Sequence, residues 1–265
     1  MPFAEINDVN LYYETRGTGA PLFLIAGLAS DSLSWSPIVA DLSPHCRVIT
    51  FDNRGAGRTS PQETEISIRR ISDDCLGLAR HLGLASFNLL GHSMGGFVAL
   101  DCAIRYPQAV GKLILAATAA VNSQRNNALF SDLAACRVAG MDPQIWFRNL
   151  FYWIFTTRFF ENGETVRDAV RVAREYPYPQ SSTAFAEQVR AIAEFDCTGR
   201  LSEITARTKV IAGREDLLFA PAECAALAQA IPGADFALID AAAHSIHMEN
   251  RRAFATSVLD FLLSD

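Results

Sequence analysis

Basic residues are the scarce class in this 265-residue chain: 23 Lys and Arg stand against 29 Asp and Glu, a net charge of -6 at pH 7, and they form no cluster. Nucleic acid and anionic membrane surfaces are bound through clustered cations, so neither is expected as a partner. A small, neutral or weakly charged molecule fits better. Long apolar runs are missing too. The most apolar stretch of the aromatic middle segment, 150–155, is far below the ~20 residues that span a bilayer. The start, Met1-Pro-Phe-Ala-Glu-Ile-Asn, has no basic region followed by an apolar run, and from this we expect a cytoplasmic protein. The six cysteines (Cys46, Cys75, Cys102, Cys136, Cys197, Cys224) include no Cys-x-x-Cys pair and have no histidine at metal-ligand spacing. Reduced core thiols and no metal site are therefore expected. Internal repeats and low-complexity segments are also absent. With 50% hydrophobic and 20% charged residues, what remains suffices for one large domain with an insertion, or for two small ones.

The most informative stretch is 87–96, Phe-Asn-Leu-Leu-Gly-His-Ser-Met-Gly-Gly. Its first four residues suit a buried strand, and Phe97, Val98, Leu100, Cys102, Ala103 and Ile104 give a mostly apolar helix that Pro107 ends. Between them lies Gly-x-Ser-x-Gly, a turn in which Gly91 and Gly95 remove side chains that would collide and Ser93 is lifted clear of the sheet. The serine then stands at a helix N-terminus, where the Met94 N–H can face an oxyanion. Three fixed positions of this kind recur by chance in about one chain in ten of this length. The surrounding pattern has to decide.

Segments 3–6 and 11–14 flank the turn-rich 7–10 and predict an opening antiparallel hairpin. Apolar strands are expected at 22–25, 47–51 and 112–116, alternating with helices around 35–42 and from Ile68 to Leu82, where Ile68, Ile71, Cys75, Leu78 and Leu82 recur at helical spacing before Gly83. That alternation predicts βαβ units and a parallel sheet. From Val121 the pattern turns helical, aromatic and irregular, through Trp146, Phe147, Phe151, Tyr152, Trp153, Phe155, Phe159 and Phe160 to Tyr176-Pro-Tyr-Pro. We read 121–200 as an inserted helical cap on a core made of 1–120 and 201–265. Strands at 209–212 and 236–239, each followed by a helix, complete that core.

Several motifs occur together in this order. Gly91-His-Ser-Met-Gly resembles the nucleophile elbow of the α/β-hydrolases, Asp52-Asn-Arg-Gly-Ala-Gly their structural turn, Gly213-Arg-Glu-Asp216 their acid loop and His244-Ser-Ile-His-Met-Glu249 their histidine loop. The chain is similar to the small capped esterases, cofactor-free haloperoxidase-type hydrolases, 3-oxoadipate enol-lactonases and aminoacrylate hydrolases. The resemblance implies a mostly parallel eight-stranded sheet flanked by helices. Two residues depart from the pattern: Ala26 stands where many members carry His before the oxyanion-loop Gly, and Ala243 where Gly precedes the histidine. Both keep the backbone donors.

In this fold the order is serine, acid, histidine. His244 lies in the loop right after the last strand, whereas His247 is nearer the next helix, so His244 is the expected base. Asp216 follows its strand by a short loop; the alternative acid position after Ala116 reads Ala-Thr-Ala-Ala-Val and has no carboxylate. The expected site is Ser93, Asp216 and His244, with the N–H groups of Leu28 and Met94 as oxyanion donors and no cofactor. Trp35, Phe151, Trp153 and His247 are candidates for an apolar acyl pocket, although aromatics at helical spacing more often form the cap's own core. The implied activity is hydrolysis of a small carboxylic ester, lactone or related acyl compound. A carbon-carbon bond hydrolase or acyltransferase would use the same three residues, and a ligand receptor on this fold would not need turnover. Substrate identity and oligomeric state are not encoded in these motifs.

Overall fold

Strands with apolar residues on both faces require cover on both sides, and the computed structural model, which describes residues 2–264, provides it. The strands are β1 (Phe3–Ile6), β2 (Val9–Arg16), β3 (Pro21–Ile25), β4 (Arg47–Phe51), β5 (Phe87–His92), β6 (Val110–Ala116), β7 (Arg207–Gly213) and β8 (Asp235–Ile239). They form one sheet in the order β1-β2-β4-β3-β5-β6-β7-β8, antiparallel at β1 and β2 and parallel from β4 to β8. The period of two along each strand splits the core. Phe23, Ile25, Leu89, Leu113, Leu115, Val210 and Ala212 face one layer. Their neighbours Leu22, Leu24, Leu90, Ile114, Ala116 and Ile211 face the other.

The second layer is closed by α1 (Ser36–Leu42) and, at the end of the chain, α11 (Arg251–Leu263), through Ile38, Leu42, Phe254, Val258 and Phe261. The first is closed by α2 (Ile68–His81), α3 (Met94–Arg105) and α9 (Pro221–Ala230). Helix α2 shows how local sequence sets such an element. Ser67 caps it by accepting from the Arg70 N–H at 3.1 Å. Gly83, at φ 69°, ends it, with Gly83 N–H on the Arg80 carbonyl and Leu84 N–H on the Ala79 carbonyl.

Between β6 and β7 the chain inserts α4 (Gln124–Val138), α5 (Pro143–Ile154), α6 (Thr157–Glu161), α7 (Gly163–Arg174) and α8 (Ser182–Glu194). Its neck is tied: Val121 pairs with Asp196, and Cys197 N–H donates to the Ala120 carbonyl at 3.0 Å. Phe130, Leu133, Trp146, Phe185 and Val189 of the insertion belong to the first layer of the core, so these helices pack on the main body. Trp146 also donates its indole N–H to the Leu133 carbonyl at 2.8 Å.

Two boundaries differ from the sequence reading. The opening turn is only Asn7-Asp8, because Asn7 adopts φ 54° and brings Val9 opposite Ile6. β5 runs on to His92, since Gly91 and His92 pair with Leu115 and Ala116 of β6. All six cysteines are free thiols, and burial pushes Cys46 up to about 11 and Cys224 up to about 12. No helix among the described residues is long and apolar enough to cross a membrane.

Candidate active site

The C-terminal ends of the parallel strands bring the loops after β3, β5, β7 and β8 together. Ser93 follows β5 directly, at φ 55° and ψ -120°, a strained conformation for a residue with a side chain. Close packing enforces it. A Cβ on Gly91 would lie 2.1 Å from the Gly95 carbonyl oxygen, and one on Gly95 would lie 2.0 Å from that of Ile25. The bend is fixed by Ser93 N–H on the Ala116 carbonyl at 2.9 Å, by Gly96 N–H on the Ser93 carbonyl at 2.8 Å, and by the Thr118 hydroxyl on that same carbonyl at 3.0 Å. The Ser93 hydroxyl itself has no hydrogen-bond partner among the described residues.

The loop after β3 lies against this turn. A Cβ on Gly27 would stand 3.2 Å from that of Ser93, tighter than ordinary contact, so glycine suits this close approach. The backbone N–H groups of Leu28 and Met94 have no partner among the described residues, the second because it opens α3.

Asp216, in the loop after β7, and His244, in the loop after β8, are both buried and meet at 3.0 Å between Oδ2 and Nδ1. The other carboxylate oxygen accepts the N–H groups of Leu218 at 2.8 Å and Phe219 at 3.0 Å, which fixes the rotamer. A carboxylate can only accept, so Nδ1 of His244 carries a proton, and Nε2 is the nitrogen left to accept one. The His244 carbonyl accepts from Nε2 of His92 at 2.9 Å, and the Phe219 ring lies 5.8 Å from the imidazole, nearly parallel to it.

Trp35 and His247 are placed otherwise than a pocket beneath the insertion requires. Trp35 is fully buried in the second core layer, to which the insertion contributes no residue. The His247 ring packs tilted against it at 4.7 Å and lies 6.1 Å from Phe254, so both are packing residues at the rear of His92. The sequence offered no signal for this, because α11 is brought in from the end of the chain. Burial, and then repulsion from His244, pushes His247 down to about 3; burial, followed by His247 and His244, pushes His92 well below the ordinary histidine range. Two neutral imidazoles thus stand beside His244. Phe151 is buried among Phe147, Phe155 and Phe159 of the insertion itself. Trp153 is half-buried against the first core layer, with the Arg125 guanidinium 6.0 Å above its ring. Arg148 and Arg158 are exposed.

Sequence reasoning missed the side chains that hold the loops. Asn126 donates to the Leu218 carbonyl at 2.7 Å, and Arg125 donates to the carbonyl of Leu217, both beside Asp216. Tyr176 donates its hydroxyl to Asp31, in the loop after β3. Asp52 and Arg54, in the segment that resembles the structural turn, hold loops as well. Asp52 accepts from Ser32 and Arg58, and Arg54, fully buried, pairs with Asp74 at 2.7 and 2.8 Å. Among the described residues, no group of His, Cys, Asp and Glu could hold a metal ion.

The model of the alpha/beta hydrolase fold matches residues 20–251. This chain belongs to that family. Among its curated relatives, "Putative carbamate hydrolase RutD" of Agrobacterium fabrum is 29% identical over 259 residues, covering 96% of this chain and 98% of that one. The protein of the same name from Rhizobium rhizogenes is 30% identical, covering 95% and 97%. Among solved structures, the enol-lactonase of Burkholderia xenovorans LB400 is 28% identical with a TM-score of 0.89, covering 99% of this hydrolase and 100% of that chain.

Proposed function

We propose that this hydrolase cleaves a small carboxylic ester, lactone or related acyl compound through a Ser-His-Asp triad and an acyl-enzyme. The observation that carries this reading is the 3.0 Å bond between Asp216 and His244, on loops that converge with the strained Ser93 turn. Ser93 attacks the carbonyl carbon while Nε2 of His244 takes its proton. Asp216 holds Nδ1–H and stabilises the imidazolium. The unpartnered N–H groups of Leu28 and Met94 receive the oxyanion. The proton then passes from His244 to the leaving oxygen or nitrogen; water, deprotonated by the same ring, releases the acid. No step calls for a metal or an organic cofactor.

The relatives named for carbamates and the neighbour named for an enol-lactone support acyl chemistry of this kind on a small molecule. The helices between β6 and β7 act as a cap, spanning about 121–200, and Trp153, half-buried beneath Arg125, is our candidate from it for contact with the acyl group. The composition supports a cytoplasmic protein without nucleic-acid or membrane partners. Turnover of p-nitrophenyl acetate tests the reading: Ser93→Ala should fold normally and lose at least a thousandfold in kcat/KM. Retention of more than about a tenth of the activity would overturn it.

A further inference from the structure

His244 sits on a loop whose backbone is held at three successive residues. The Ala243 N–H donates to Glu249 at 2.8 Å, the His244 carbonyl accepts from His92, and the Ser245 N–H donates to the Ile154 carbonyl at 2.9 Å. Two of these three holds lead to the insertion. Ile154 is the last residue of α5, and Glu249 spends its second carboxylate oxygen on Thr156, accepting the backbone N–H at 2.9 Å and the hydroxyl at 2.8 Å. Glu249 forms no ion pair among the described residues. Its charge is met by two backbone donors and one hydroxyl, an arrangement that fixes position and not merely charge. It closes the one-turn helix α10 (Ile246–Glu249), which folds its carboxylate back over Ala243.

We propose that Glu249 is a positioning residue: its carboxylate, shared between Ala243 and Thr156, sets the histidine loop against the inserted helices and so fixes where His244 stands relative to Ser93. This rests on His244 being the base of the proposed triad. Its consequence is that seating of the insertion and alignment of the base are one event. Displacing a catalytic group by about 1 Å costs on the order of a hundredfold in rate. The two oxygens have separable roles, which gives the test its resolving power. In Glu249→Gln, the carbonyl oxygen can keep Ala243 while the new amide donates to the Thr156 hydroxyl, which is able to accept. Only the Thr156 N–H is left out. In Thr156→Val, both N–H bonds survive. In the double variant the amide faces a methyl group, and whichever of the N–H groups of Ala243 and residue 156 the one carbonyl oxygen takes, the other end of the bridge is lost and the loop is released from the insertion.

The experiment measures kcat and KM for p-nitrophenyl acetate together with hydrogen exchange at the Ala243 amide, with Ser93→Ala as reference. Glu249→Ala should lower kcat about a hundredfold, raise KM and expose the Ala243 amide to exchange. Each single variant, Glu249→Gln and Thr156→Val, should keep kcat within about threefold of wild type. The double variant should fall at least tenfold below the product of the two singles. A folded Glu249→Ala with an exchanging amide and unchanged kcat would overturn the proposal, as would multiplicative behaviour of the double variant. Amide exchange does not depend on turnover. Loss of the triad reading would show instead as hydrolysis surviving in Ser93→Ala, with the exchange pattern intact.

Discussion

Asp216→Asn is the substitution for which the structure fixes both direction and size. The wild-type carboxylate has two N–H donors on Oδ1, from Leu218 and Phe219, and one on Oδ2, from His244. An asparagine must choose. With its carbonyl oxygen on the two backbone donors, its NH2 faces Nδ1 of His244, which becomes an acceptor and moves the ring proton to Nε2. A protonated Nε2 cannot take the proton of Ser93. The opposite orientation restores the tautomer but sets the NH2 against two N–H groups and forfeits two hydrogen bonds, about 1–1.5 kcal/mol each. At about 1.4 kcal/mol per factor of ten, a loss of about 2–3 kcal/mol leaves the competent orientation populated at roughly 1–3%, so kcat for p-nitrophenyl acetate should fall about 30- to 150-fold. The assay is steady-state hydrolysis at pH 8, with near-ultraviolet circular dichroism to verify packing. Asp216→Ala imposes no wrong tautomer and should lose no more than Asp216→Asn. If Asp216→Asn kept more than about a tenth of the wild-type kcat, the orientation argument would be refuted.

His244→Ala should abolish hydrolysis while His247→Asn keeps kcat within about tenfold, since the second ring only packs behind His92; the reverse ranking in the same assay would exchange their roles. The two variants also separate on stability. His247 is held down to about 3 in the folded chain, against about 6.5 unfolded, so above pH 6.5 the ring is neutral in both states and contributes nothing. As pH falls below 6.5 the unfolded chain takes up a proton that the folded one refuses. By pH 4.5 this costs wild type about 3 kcal/mol, which urea unfolding of His247→Asn should show as a correspondingly smaller acid loss. Gly91→Ala places a Cβ 2.1 Å from the Gly95 carbonyl oxygen and should cost about 3 kcal/mol or more, a fall in Tm of roughly 6 °C or more by calorimetry. An unchanged Tm would mean that the turn is looser than its packing implies.

What the sequence made legible is what neighbouring residues encode. The alternation Leu22-Phe23-Leu24-Ile25 forces a strand covered on both faces, and glycines two residues either side of Ser93 demand a bend wherever the strand leads. Six of the eight strands could be placed from short apolar runs bounded by turn residues, and the other two from the turn between them. The carboxylate beside the Gly213 turn and the histidine after β8 stood out for the same local reason. What stayed illegible depends on segments far apart in the chain. Trp35 could be assigned to a pocket because nothing near it reveals that it is buried in one cluster with Phe254 and Val258, from the other end of the chain. Phe151 reads alike whether an aromatic faces substrate or other aromatics of the same insertion. Glu249 was quoted within a motif without a task, since its partner Thr156 sits in a segment whose helices show no fixed register.

The tied neck of the insertion bears on how such a chain can diversify. Because Val121 pairs with Asp196 and Ala120 with Cys197, the polypeptide leaves the sheet and returns to it at one place. For the sheet the intervening residues form a closed excursion, and doubling the length of such a loop adds only about 0.6 kcal/mol of closure entropy. A lineage can therefore exchange the whole excursion for another without disturbing strand order. Yet Asn126, Thr156 and Tyr176 reach from it to the backbone of Leu218, to Glu249 and to Asp31. Grafting a foreign excursion onto this neck should give a soluble, folded sheet whose reactive loops are out of alignment until new residues at those three places are selected.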